Sequence, residues 1–168
     1  MSRAQTLRCR IKLLTVLFIA GLVVSGATAI PLRSEVDFLA NSFGVSNPPS
    51  AIAQWLFHVR DGLHSTQTQF PFLFYGTDWL AFGHFIIAIA FFGALRDPVR
   101  NRWLFDFGLI ACALVIPYTL IFGGARGIPF WWRLIDCSFG VFGFIPLWLC
   151  RQWARELDPC REDRAGKN

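Results

Sequence analysis

The chain has 168 residues, 54% of them hydrophobic, 16% aromatic and only 16% charged, with a mean hydropathy of +0.45. A soluble domain carries about 45–50% apolar and about 25% charged residues, so an ordinary water-soluble globule is excluded. The formal charge of +5 does not point to nucleic acid, because the basic residues stand at the ends of apolar stretches and not along a polar face, which is a membrane-topology pattern.

Residues 1–30 open with Arg3, Arg8, Arg10 and Lys12, followed by the apolar run Leu13 to Val24 and by Ala27-Thr28-Ala29. These are the parts of a secretory signal peptide. They equally compose a first membrane helix over Ile11 to Ile30, long enough to span if its weakly polar end counts. The uncleaved anchor is the preferred reading, since a fourth helix helps bury the small residues of the others.

Residues 31–77 are mixed in character and form an external segment. Asn47-Pro48-Pro49-Ser50 resembles a helix start. Ile52, Trp55, Leu56, Val59 and Leu63 then share one face at helical spacing, which predicts an amphipathic helix over about 49–63, too short and polar to span. It is expected to lie on the membrane surface or cap the bundle, ended by Gly62 and the polar run His64–Gln69. His58, Asp61 and His64 oppose that apolar face, so they are read as a solvated face and not as a metal triad.

Residues 78–150 contain three apolar stretches. Trp79 to Leu95 has Asp78 at its start, as a possible helix cap, and His84 within. Trp103 to Phe122 holds Asp106 and Pro117, and Trp131 to Cys150 holds Arg133 and Asp136. A basic turn at 96–102, broken by Pro98, joins the first two, and Gly123 to Pro129 forms the turn before the last. Residues 151–168 make a charged tail. The fold class expected is therefore all-α: an integral membrane bundle of four transmembrane helices (three if the first is a cleaved signal peptide) plus one amphipathic surface helix outside.

Twelve of the sixteen Lys and Arg fall in the N-terminus, the 96–102 turn and the tail; the other side holds Arg33, Arg60, Arg126 and Arg133. The positive-inside rule places both termini in the cytoplasm of a cell-membrane protein. None of Cys9, Cys112, Cys137, Cys150 and Cys160 lies in an external loop, so no disulfide is expected.

Small residues on a membrane helix mark where another helix approaches. Arg133, Asp136, Gly140 and Gly143 share a stripe about 80° wide. Gly108, Ala111, Cys112, Val115 and Thr119 form another, and Ala81, His84 and Ala88 a third. Asp136 is therefore expected to face protein and to pair with Arg133 or Arg126, with His84 as the next candidate. Asp136 lies about 7–8 Å below Trp131 at 1.5 Å per residue, and an ionisable group near the centre of a membrane helix costs about 2.5–3.5 kcal/mol. The outer half thus gathers Asp78, His84, Arg126, Arg133 and Asp136 as a candidate polar cluster, while Asp106 on the inner side is expected to be neutralised by Arg102. No nucleotide, hydrolase or metalloprotease motif is present, so no cofactor and no metal are expected. The expectation is a non-enzymatic accessory, binding or small transport component. The alternative is a small intramembrane enzyme using Asp78, His84, Arg133 and Asp136. The expected partners are the lipid bilayer, and another membrane protein or a second copy of the chain.

Overall fold

The computed structural model describes residues 2–42 and 50–158, and all regular structure among them is helical. In order come α1 (Arg3–Ala29), α2 (Leu32–Ser42), α3 (Ala51–Gln69), a 3-10 turn (Pro71–Phe74), α4 (Tyr75–Arg96), α5 (Arg102–Ala125) and α6 (Phe130–Glu156). Four segments are long and apolar enough to cross a membrane: α1, α4 with its preceding turn, α5 and α6. The helices group into two compact units, residues 1–20 with 89–168, and residues 21–88, so α1 and α4 contribute to both.

In the first unit, midway along α6, small residues meet α5 while the large ones beside them point outwards. Phe139 and Phe142 are 70% and 71% exposed, whereas Gly140 and Gly143 beside them meet α5. A Cβ on Gly140 would stand 2.7 Å from the Cys112 carbonyl oxygen, and one on Gly143 would stand 2.9 Å from Cys112 Sγ. Gly108 is equally close to Leu147, at 2.6 Å. The two expected stripes therefore form the α5–α6 contact, except that Ala111 is exposed. An apolar exterior of this extent suits lipid and not water. Phe91 fills the centre, stacked against Phe18 and Phe105. Buried Thr15 returns its hydroxyl to the Ile11 carbonyl at 2.7 Å, which satisfies it within an apolar core. Cys150, buried in the core, packs against the same carbonyl, its Sγ 3.8 Å away.

The end of this unit where α5 begins and α6 ends is tied by charges. Asp106 pairs with Arg151 of α6, which corrects the expected partner: Arg102 instead lies 3.7 Å from Asp158. The reason is reach across the tight α5–α6 contact, since α6 runs on to Glu156 and carries part of the charged tail as helix. Arg3 meets Glu156 at 3.1 Å. The α4–α5 turn is closed by Asp97, whose Oδ1 accepts from the amides of Val99 and Arg100, and by Asn101, which donates to the Gly93 carbonyl. Cys160 lies outside the described residues.

The 123–129 turn is shorter than expected. Gly123 and Gly124 stay helical, and only Gly127 adopts the left-handed conformation, with φ of 72°. The amide of Ile128 bonds to the Gly123 carbonyl and that of Gly127 to the Gly124 carbonyl, the paired bonds of a Schellman stop.

In the second unit α2 and α3 form a helical hairpin. The α2 helix was not expected: Leu32, Val36 and Ala40 repeat at helical spacing, but Arg33, Glu35 and Asp37 dilute the apolar pattern. Ser50 caps α3, its hydroxyl accepting from the Ala53 amide at 3.2 Å, a contact worth about 1 kcal/mol. Asn47, Pro48 and Pro49 lie outside the described residues. Gly62 does not end α3, which continues to Gln69. A glycine inside a helix costs only about 1 kcal/mol, and the far end is tied to α2 by two contacts. His64 donates to Asp37 at 2.8 Å, and Arg33 donates to Gln67 at 2.6 Å. His58 stacks on Trp55 and Asp61 is held by Arg60, so the three polar residues of α3 have separate surroundings. Gly26 of α1 abuts α4, where an added Cβ would stand 3.0 Å from the Ala81 carbonyl oxygen and 2.9 Å from Phe85. Ala81 and Ala88 are buried as their stripe required.

Candidate functional site

The five candidate residues divide between the two units. Asp78 and His84 belong to residues 21–88; Arg126, Arg133 and Asp136 belong to the other unit.

Asp78 lies within the first turn of α4, which starts three residues earlier at Tyr75, so it is not the cap. A shallow cleft of about 230 Å³ runs beside it, with Tyr75, Trp79 and Phe82 as its other walls. His84 Nδ1 donates to the Leu80 carbonyl at 2.8 Å, one turn back along α4. That bond fixes the ring and occupies one of its two nitrogens.

Arg133 does not pair with Asp136. Its side chain lies across Gly123 and Gly124, where an added Cβ would meet Arg133 Cδ at 2.7 Å and Nη1 at 3.1 Å. Nη1 donates to the Leu120 carbonyl at 3.1 Å, and the guanidinium carbon stands 5.3 Å from the Phe130 ring centre. The glycine pair is thus a bed for an arginine as well as an approach to a turn. A guanidinium near the end of α5 also opposes the negative pole of that helix. This is where the expected i, i+3 pair failed: the C-terminal carbonyls of α5 compete for Arg133 and win by proximity.

Asp136 is half-buried and forms no hydrogen bond or ion pair among the described residues. It lines a groove of about 310 Å³ with Tyr118, Thr119, Phe122, Arg126 and Ile128. Arg126, exposed at the turn, also has no side-chain partner among the described residues. The groove therefore holds one carboxylate, one guanidinium and two hydroxyls, and its two charges stand too far apart to neutralise each other as an ion pair. Tyr118 and Phe122 stack at 4.5 Å between ring centres and are 65% and 50% exposed, so one wall of the groove is aromatic and open. Sequence reasoning found Asp136 and Arg126 but missed Tyr118 and Phe122. The available signal was the spacing of Tyr118, Phe122 and Arg126 at i, i+4 and i+8 along one face of α5.

Compared with known proteins, the chain matches no family model, and no curated protein or solved structure is detectably similar to it.

Proposed function

We propose that the protein is a non-enzymatic, multi-pass protein of the cell membrane that binds a charged ligand where α5 ends and α6 begins. The observation that carries this reading is the groove in which Asp136 and Arg126 both lack a side-chain partner among the described residues. A carboxylate at this depth is costly to leave unmatched, and a ligand with complementary charge removes that cost. Binding is favoured over the intramembrane-enzyme alternative because His84 and Arg133, two of its four residues, are engaged by backbone carbonyls. Both termini are assigned to the cytoplasm by the distribution of Lys and Arg, which puts the groove on the outer side.

Two measurements test this. Arg133→Gln is expected to lower the melting temperature and folded yield in detergent, by about 1–3 kcal/mol, because it strips the Leu120 carbonyl of a charged donor and loosens the packing over Gly123. Asp136→Asn is expected to leave both unchanged. An Asp136→Asn protein as unstable as the Arg133→Gln protein would make Asp136 a structural strut and end the binding reading. For topology, reporter fusions after residues 70 and 160 are expected on opposite sides of the membrane. Finding both on one side would defeat the assignment.

A further inference from the structure

We infer that the groove takes a zwitterionic lipid headgroup, with a primary ammonium on Asp136 and a phosphodiester on Arg126. This rests on the binding reading above and names the ligand of the same groove.

The chemistry of the lining selects the charge pattern. A simple anion placed on Arg126 shares the groove with the Asp136 carboxylate and is repelled; a simple cation on Asp136 shares it with Arg126. A zwitterion of a few atoms' span gives each its counter-charge and leaves the groove neutral. Thr119 and Tyr118 contribute hydroxyls to the same lining, and these can donate to the non-ester oxygens of a phosphate. A carboxylate accepts strong charge-assisted hydrogen bonds from N–H donors, so an ethanolamine-type ammonium suits Asp136 better than a quaternary one, which has no N–H to give. Arg133 is not among the lining residues; its side chain lies across Gly123 and Gly124 and donates to the Leu120 carbonyl.

The surroundings select a lipid over a soluble zwitterion. The groove lies on two helices apolar enough to cross a membrane, and its rim is hydrocarbon. Ile121, one residue before Phe122 on α5, is 64% exposed beside the open Tyr118–Phe122 wall, a surface along which acyl chains can lie. Asp136 sits about 9 Å along α6 from its first residue, at 1.5 Å per residue, near the Phe130 end of a helix apolar enough to cross a membrane.

The test uses full-length protein stripped of lipid in mild detergent. Defined phosphatidylethanolamine, phosphatidylcholine, phosphatidylglycerol and soluble phosphoethanolamine are added separately. Binding is read by native mass spectrometry, and melting temperature is followed in parallel. Phosphatidylethanolamine is expected to bind at least about tenfold more tightly than the other three, and Asp136→Asn and Arg126→Gln each to abolish that preference while melting like the parent. Equal retention of all three lipids, or a preference that survives Asp136→Asn, would overturn the inference. Soluble phosphoethanolamine binding as tightly as the lipid would overturn the lipid source and leave the charged-ligand site standing. If no species binds, both the inference and the binding reading fall.

Discussion

Gly140→Ala is expected to destabilise the protein by about 2 kcal/mol, and Gly140→Leu to leave no folded material in detergent extracts. The alanine Cβ would stand 2.7 Å from the backbone oxygen of Cys112. A main-chain atom within a hydrogen-bonded helix cannot step aside, so α5 and α6 must separate. Overpacking of this kind costs about 1–3 kcal/mol, and the better helix propensity of alanine returns up to about 1 kcal/mol. Gly143→Ala meets an obstacle of another kind, the Cys112 Sγ at 2.9 Å. Its loss is expected to be smaller and to be reversed by Cys112→Ala, with a coupling of about 1 kcal/mol in a double-mutant cycle. Gly108→Ala belongs with Gly143, since the nearest atom is a methyl of Leu147. Thermal or denaturant melting of the six proteins checks the set. Rescue of Gly140→Ala by Cys112→Ala would contradict the geometry, because that change leaves the blocking carbonyl in place.

Asp106→Ala is expected to cost about 2 kcal/mol, between the near-zero value of an exposed ion pair and the roughly 3–5 kcal/mol of breaking a fully buried one. The pair joins the start of α5 to the end of α6, with the Arg151 side chain 24% exposed and that of Asp106 39%. Removing the carboxylate leaves a partly buried guanidinium without its counter-ion. Arg102→Gln is expected to cost less than about 1 kcal/mol, because its contact with Asp158 is long, at 3.7 Å. Melting of the two variants separates the observed pairing from the one suggested by proximity in sequence. If Arg102→Gln proved the more damaging, the Asp106–Arg151 pair would not be the one that holds this end of α5 and α6.

The candidate site was legible in part. Asp136 and Arg126 stand out in sequence because ionisable groups at the margins of apolar stretches are costly and therefore rare. Their separation could not be read there, nor could the diversion of Arg133 to the Leu120 carbonyl, since helix spacing reports neighbours on one helix and Arg133 found its partner on another. The missed α2 helix has a similar cause. Its apolar face is narrow, and Val36 and Ala40 are recognisable as core only once α3 covers them.

By itself the sequence determined which segments are long and apolar enough to cross a membrane and the small-residue faces on which α4, α5 and α6 pack. Both follow from local quantities: the length of an apolar run measured against a bilayer, and a periodicity of 3.6 residues. The tertiary structure alone decided which charges meet and which are left over. Arg151 reaches Asp106, Arg133 lies over Gly123 and Gly124, and Asp136 keeps a free carboxylate beside Arg126. Ion pairing depends on a few ångströms between atoms of different helices, and those distances are set by how closely glycine lets two backbones approach.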